Sequence, residues 1–243
     1  MAINSTGLLN FEIYYRPVKN RQYRTTVAYL SELRINDPDI GVLMPKDYRE
    51  VSERSEQCEK LALYAFEQVV EDIRRFEARG LAFEWVSVYI PERLLLKKDF
   101  HDLLGKVLDD GLISPDELCL EIPFEILFSD LKKIAAAVKK IKSMGVNFLL
   151  SSVGRSLDPI MKLSDLNLDY VIADREVIDS LKSKDERKVK MTSAFFTYAE
   201  SGGTLAIAGS VRKEEELALL PDGISLYEGK AAGSPKKALY IRN

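Results

Sequence analysis

The chain has 243 residues, of which 46% are hydrophobic and 30% are charged, and its net charge is −3. This balance excludes a generally disordered chain, and the small net charge gives no overall indication of nucleic-acid binding. No apolar run approaches the roughly 20 residues of a membrane span, and residues 1–10 lack the basic and apolar regions of a signal peptide. Two isolated cysteines, Cys58 and Cys119, predict a reducing compartment. We therefore expect a cytoplasmic protein.

Short β-rich runs alternate with helical patterns along the chain. Strands are predicted at residues 11–18, 25–33, 83–90, 118–122, 146–151, 169–173, 204–208 and 224–227. Helices are predicted within residues 47–78, as two helices, and within 91–111, 130–144, 176–200 and 213–220. Several strands are continuous apolar runs, as in parallel strands covered on both faces. Eight such units favour an α/β fold, a (β/α)8 TIM-like barrel, as one domain over residues 1–243.

Eight short motifs follow one another in a recognisable order. Residues 14–18 (YYRPV) are similar to YYQPI, 33–38 (LRINDP) to LLRWxHP, 44–48 (MPKDY) to SPxxF and 86–90 (VSVYI) to VSVNLS. Further along, 120–122 (LEI) are similar to LEITE, 145–152 (GVNFLLSS) to GVxLALDD and 169–175 (DYVIADR) to DYLKIDR, while 214–217 (EEEL) follow the place of EGVE. This series resembles the EAL domain of bacterial cyclic di-GMP phosphodiesterases over nearly the whole chain.

The resemblance implies a two-metal hydrolase, but the sequence departs from the motifs where metals would bind. Two divalent ions about 3.5–4 Å apart need several converging oxygen ligands to activate a water. The replacements are Leu30 for the Glu of the EAL tripeptide, Tyr89 for an Asn, Ser151 and Ser152 for two Asp, Ile172 for the catalytic Lys, Gly209 and Arg212 for two Glu, and Glu228 near a Gln. Of the expected ligands, Glu121 clearly survives. The resemblance therefore implies a degenerate EAL domain that is not an enzyme and carries no metal or other cofactor.

Some charged residues have two interpretations. Glu32 lies two positions after Leu30 and would share its face of the strand. Arg34 matches an arginine that contacts a phosphate of the dinucleotide, or it forms a salt bridge at a strand end. Glu121 is a residual metal ligand or an ordinary ion-pair partner. His101 lies in a helical pattern and is expected on the surface.

A cationic cluster at the C-terminal mouth of the barrel is a further hypothesis. Arg155 and Arg212, together with Arg34 and Arg175, could hold an anion in place of metals, or they could be solvated surface arginines. The segment 228–235 lacks the aromatic and arginine-like groups of the family loop that it replaces. This loss argues against ordinary dinucleotide recognition.

Three functions follow from these observations. The first is a non-catalytic signalling regulator that acts through protein–protein interaction with an unidentified partner. The alternative is a metal-independent receptor for cyclic di-GMP or another anionic nucleotide. The third is an active phosphodiesterase with rearranged ligands. A homodimer is expected, whereas membrane association and direct nucleic-acid binding are not.

Overall fold

Eight strands close into a barrel in the computed structural model, which describes residues 10–52, 55–154 and 160–242. The strands of the sheet are β1 (Asn10–Asn20), β2 (Thr26–Asp37), β3 (Gly41–Leu43), β4 (Trp85–Tyr89), β5 (Leu118–Pro123), β6 (Asn147–Val153), β7 (Tyr170–Ala173), β8 (Leu205–Ala208), β9 (Leu226–Glu228) and β10 (Lys236–Lys237). The barrel order is β1-β9-β8-β7-β6-β5-β4-β2, and β2 pairs back with β1. Each predicted strand corresponds to one barrel strand, which confirms the fold class.

The first strand is antiparallel to both of its neighbours, whereas the other barrel pairs are parallel. Only a short turn at residues 21–25 joins β1 to β2, and such a turn can connect only antiparallel strands. Strand β1 continues to Asn20, two residues beyond the predicted end at Val18. Pro17 lies between the residues of β1 that pair with β10 and those that pair with β9, so its missing N–H costs no hydrogen bond on that side.

The helices lie where the sequence predicts them, with one exception. They are α1 (Pro45–Ser52), α2 (Gln57–Ala78), α3 (Glu92–Leu95), α4 (Lys98–Asp109), α5 (Leu131–Lys142), α6 (Arg175–Leu181) and α7 (Glu186–Ser201). The exception is Glu214–Leu219, which forms a 3-10 helix rather than an α-helix. Aspartates at the start of α5, α6 and α7 accept backbone N–H hydrogen bonds, which fixes where these helices begin.

The expectation that His101 lies on the surface was wrong. The side of α4 that faces the barrel includes His101, which is 8% exposed and has its Nε2 atom 2.7 Å from the carbonyl oxygen of Leu95. A buried imidazole needs a polar partner, and the backbone carbonyl provides one. The buried side of α4 therefore accommodates a histidine, although a histidine in a helix was expected at the surface.

Two apolar layers hold the barrel. The outer layer lies between strands and helices, and aromatic rings meet there at Phe76, which packs against Tyr15, Tyr29 and Phe83. The inner layer fills the barrel with Val18, Ala28, Leu30, Trp85, Cys119, Leu149, Ile172, Ile207 and Leu226. Residues two apart in a strand share a face. The inward positions therefore continue from Val18 to Arg16 in β1 and from Leu30 to Glu32 in β2, towards the mouth.

Both cysteines are reduced and buried, and burial raises the pKa of the Cys119 thiol well above its usual range. Among the helices that the structure describes, none combines the length and apolar character required to cross a membrane.

Candidate functional site

Three glutamates meet at the C-terminal mouth of the barrel, of which Glu121 and Glu228 are buried and Glu32 is half-buried. Glu32 comes from β2, Glu121 from β5 and Glu228 from β9, and their side chains are 12%, 4% and 3% exposed. A carboxylate removed from water is costly unless it is paired and hydrogen-bonded. The mouth therefore depends on the groups that face these three side chains.

Arg16 lies between two of these carboxylates. Its Nη1 atom donates to Glu228 Oε2 at 2.9 Å, and its Nε atom lies 3.6 Å from Glu32 Oε2. Burial opposes the charged form of Arg16, but the carboxylates of Glu228, Glu121 and Glu32 outweigh this effect and raise its pKa above the ordinary arginine value. The side chain is thus held charged at the centre of the mouth.

Arg49 enters the mouth from helix α1. Its Nη1 atom lies 3.6 Å from Glu121 Oε1, and its guanidinium carbon lies 3.7 Å from the centre of the Tyr89 ring. Ser87 Oγ donates to Glu121 Oε2 at 3.4 Å on the other side of that carboxylate. Tyr48 anchors the same helix by donating to the carbonyl of Leu33 at 2.8 Å. Glu121 therefore has an ion-pair partner, as one of its two interpretations predicted.

Arg34 completes the arrangement at the end of β2. Its Nε atom donates to Glu32 Oε1 at 2.7 Å, and its guanidinium carbon lies 3.8 Å from the centre of the Tyr14 ring. This is the strand-end salt bridge of one interpretation. A phosphate contact by Arg34 stays a prediction.

Every oxygen of the three glutamates faces a partner. Those of Glu228 accept from Ser210 N–H, at 2.6 Å, and from Arg16. Those of Glu32 face Arg34 and Arg16, and those of Glu121 face Ser87 and Arg49. Three arginines thus balance three glutamates. We call Arg16, Arg34, Arg49, Glu32, Glu121 and Glu228 the mouth network.

The other positions that the sequence analysis compared with metal ligands carry groups that do not fit two divalent ions. Leu30 and Ile172 belong to the inner apolar layer, and the ring of Tyr89 lies under Arg49. Ser151 donates to the carbonyl of Ile122 at 3.4 Å. Ser152 follows it in a left-handed conformation, φ 62°, where the pairing of β6 with β7 is irregular. As the side chains stand within the described ranges, with the arginines in place, no group of three or more His, Cys, Asp or Glu is arranged to hold a metal ion.

Gly209 cannot carry any side chain in this backbone. A Cβ atom there would lie 2.1 Å from the carbonyl oxygen of Ala173 and 2.7 Å from Ile172 Cγ2. The same close approach lets Gly209 N–H donate to the Ala173 carbonyl at 3.1 Å. A carboxylate at this position would therefore require the ends of β7 and β8 to separate.

The arginines predicted to form a cationic cluster have separate surroundings. Arg175 donates to Glu216 at 2.8 Å and to Asp179 at 2.6 Å, whereas the side chain of Arg212 is exposed and its backbone N–H donates to Glu216. Arg155 lies outside the described residues. Arg34 and Arg175 thus each have their own carboxylate partners, and the cluster stays a prediction.

Glu216 joins the loops that follow β7 and β8. Hydrogen bonds from Arg175 lower its pKa well below the usual range, although burial acts in the opposite direction. Lys182 Nζ, 2.6 Å away, and the N–H of Arg212 add to the effect. This group supports the mouth from one side without entering it.

The sequence analysis missed two members of the mouth network, Arg16 and Arg49. For Arg16 a signal was present, since it lies two residues before the inward-facing Val18 and so shares its face of β1. For Arg49 no signal was present, because the helical pattern does not show which side of the helix faces the mouth.

Comparison with known proteins assigns this architecture to a family. The model of the EAL domain matches residues 4–235, nearly the whole chain. The chain belongs to the EAL domain family. An uncharacterized signaling protein of Caulobacter vibrioides is 21% identical over 92% of this chain and 27% of its own length. The cyclic di-GMP phosphodiesterase RocR of Pseudomonas aeruginosa is 21% identical over 93% of this chain and 57% of its own length.

Solved structures agree with the family assignment. The EAL enzyme Bd1971, in its cAMP- and cyclic-di-GMP-bound form, superimposes with a TM-score of 0.84 at 18% identity, over 94% of this chain and 62% of its own. Similarity at this level of identity shows the EAL fold. The coverages also show that the present chain spans only part of the length of these three proteins.

The first prediction concerns the contact at Gly209 in this EAL domain. Gly209→Ala places a Cβ atom against the Ala173 carbonyl, so we expect the free energy of unfolding to fall by about 1–3 kcal/mol. Gly105→Ala is the matched control, because nothing lies within 4 Å of a Cβ atom there, on helix α4. We expect it to leave stability unchanged or raise it by about 0.5 kcal/mol. Urea denaturation measures both, and equal effects would contradict the contact.

The second prediction concerns the ion pair between Arg16 and Glu228. Glu228→Gln leaves Arg16 without its nearest carboxylate, so we expect a loss of about 2 kcal/mol, less than for a fully buried pair because Arg16 is 31% exposed. Adding Arg16→Gln should cost about 1 kcal/mol less than the sum of the single effects. The control Glu71→Gln, on an exposed pair with Arg74, should change stability by about 0.5 kcal/mol or less. Strict additivity of the two mouth substitutions would refute the pairing.

The third prediction concerns pH. Because the folded-state pKa of Glu216 is lowered, its contribution is present above the unfolded value near 4.5 and is lost as the pH falls below it. We expect Glu216→Gln to destabilise the protein by about 1–2 kcal/mol at pH 7, and we expect this difference to shrink steadily towards pH 3. Chemical denaturation at several pH values measures it, with the exposed Glu125→Gln as control. A difference that does not depend on pH would contradict the assignment.

Proposed function

We propose that this chain is a non-hydrolysing EAL-domain signalling protein that acts by binding a protein partner. Its relatives include a cyclic di-GMP phosphodiesterase and a signaling protein, which supports a place in cyclic di-GMP signalling. Its own mouth, however, has a different chemistry from that of a two-metal hydrolase.

Gly209 is the observation that carries the proposal. The other altered positions already carry side chains, but at Gly209 the backbones of β7 and β8 leave no room for one. The backbone itself therefore prevents a metal-ligating side chain at this position. Hydroxyls at Ser151 and Ser152 do not supply the negative charge that two divalent ions require.

The mouth network supports the same conclusion from its charges. Attraction between a carboxylate and a metal ion depends on charge that is not already neutralised. Glu121, the surviving ligand of the family site, faces Arg49, and Glu228 faces Arg16. A metal ion entering the mouth would have to displace an arginine from its partner.

The alternative function, a metal-independent receptor for an anionic nucleotide, rests on the partial exposure of the arginines. The side chains of Arg34 and Arg49 are 18% and 27% exposed, so an anion could reach them. Against it, one face of the Tyr89 ring is covered by Arg49 and is closed to a nucleotide base. We therefore place protein binding first.

The fourth prediction tests hydrolysis and nucleotide binding together. With Mg²⁺ or Mn²⁺ we expect no turnover of cyclic di-GMP, and the Glu121→Gln variant should be indistinguishable from the unmodified chain. An active EAL phosphodiesterase is the positive control. Metal-dependent turnover that disappears in Glu121→Gln would overturn the proposal.

Isothermal titration with cyclic di-GMP separates the two functions. No heat with Mg²⁺ or with EDTA, from a folded protein, supports protein binding. Heat that persists in EDTA and disappears in Arg34→Ala supports the receptor instead.

A further inference from the structure

We infer that Arg16 and Arg49 are resident cations that neutralise the mouth glutamates, the role that bound metal ions have in a two-metal site. The inference rests on the proposed absence of metal chemistry. It goes beyond it by assigning to two side chains, which come from β1 and α1, the positive charge on which folding of the mouth depends.

The first support is the position of Arg16 among the carboxylates. The guanidinium contacts Glu228 at 2.9 Å and Glu32 at 3.6 Å, and it interacts electrostatically with Glu121. One cation thus serves glutamates from three separate strands, β2, β5 and β9. A shared central charge of this kind connects strand ends that are not neighbours in the sheet.

The second support is the way in which Arg16 is held. Among the described residues, its Nε atom is buried and makes no hydrogen bond, although Glu32 lies 3.6 Å away. A buried N–H normally finds a partner. The guanidinium is therefore positioned by the summed charge of its neighbours more than by a complete set of directional bonds, as a bound ion would be.

The third support is the complementary position of Arg49. It faces Glu121 Oε1, the oxygen opposite the one that Ser87 contacts, and it rests on the ring of Tyr89. The stack fixes a guanidinium where β4 presents an aromatic ring instead of a polar ligand. Arg49 therefore supplies a positive charge to Glu121 directly, and Arg16 adds to it through electrostatic attraction.

The test, our fifth prediction, asks whether a metal ion can replace an arginine. Arg16→Gln removes one charge and leaves the three glutamates in place, so its melting temperature in EDTA should fall below that of the unmodified chain. Millimolar Mn²⁺ should then raise the melting temperature of the variant by about 3 °C or more, since binding to the folded state stabilises it. The unmodified chain should not respond to Mn²⁺.

Two further variants sharpen the test. Arg74→Gln removes an equal charge from the exposed surface of α2 and should not respond to Mn²⁺. In Arg16→Gln/Glu121→Gln the response should disappear, because one of the ligating carboxylates is gone. If Arg16→Gln does not fold in EDTA, Arg49→Gln provides the same measurement, and recovery of folded Arg16→Gln on refolding with Mn²⁺ is the expected result.

The outcomes against the inference are specific. Folded Arg16→Gln and Arg49→Gln variants that both ignore Mn²⁺ would overturn it, and so would an unmodified chain whose melting temperature rises with Mn²⁺ through Glu121. The first of these outcomes would leave the proposed function untouched, since that function is tested separately by the absence of hydrolysis.

Discussion

The structure of this EAL domain depends on how three carboxylates at the barrel mouth, two buried and one half-buried, are neutralised. Glu32, Glu121 and Glu228 come from separate strands, and closing the barrel brings them out of water together. Mutual repulsion and desolvation would oppose closure if the three charges were left unpaired. The direction of β1 and the position of α1 matter for this reason, because they bring Arg16 and Arg49 to the carboxylates.

The same constraint relates the other residues of the mouth to one another. Once arginines hold the glutamates, further acidic side chains would restore an excess of negative charge. Apolar side chains at Leu30 and Ile172 instead extend the inner layer, and hydroxyls at Ser151 and Ser152 bond locally or lie at an irregular strand end. At Gly209 the ends of β7 and β8 approach each other too closely for any side chain. These residues pack or bond locally, and they add no negative charge to the mouth.

Much of the fold could be predicted from the sequence, because local patterns of residues indicate where strands and helices lie. Apolar runs, helix starts and the order of motifs predicted the eight barrel strands. The antiparallel direction of β1 did not follow, since single-strand patterns carry no information on direction. The buried position of His101 was also missed, because it depends on the turn between α3 and α4, which brings the carbonyl of Leu95 to the imidazole. Within the site, motif comparison singled out Glu121 and Glu228, which both lie at the mouth. It could not identify the partner of Glu228, because Arg16 is 212 residues away in the chain and pairs with it only when the barrel closes.

The most direct test of this account is a crystal of the protein soaked in Mn²⁺, with anomalous scattering measured at the manganese edge. The account predicts no anomalous peak among Glu32, Glu121 and Glu228, with the guanidinium of Arg16 between Glu32 and Glu228. A manganese ion bound to Glu121, with Arg16 or Arg49 displaced from its partner, would contradict it.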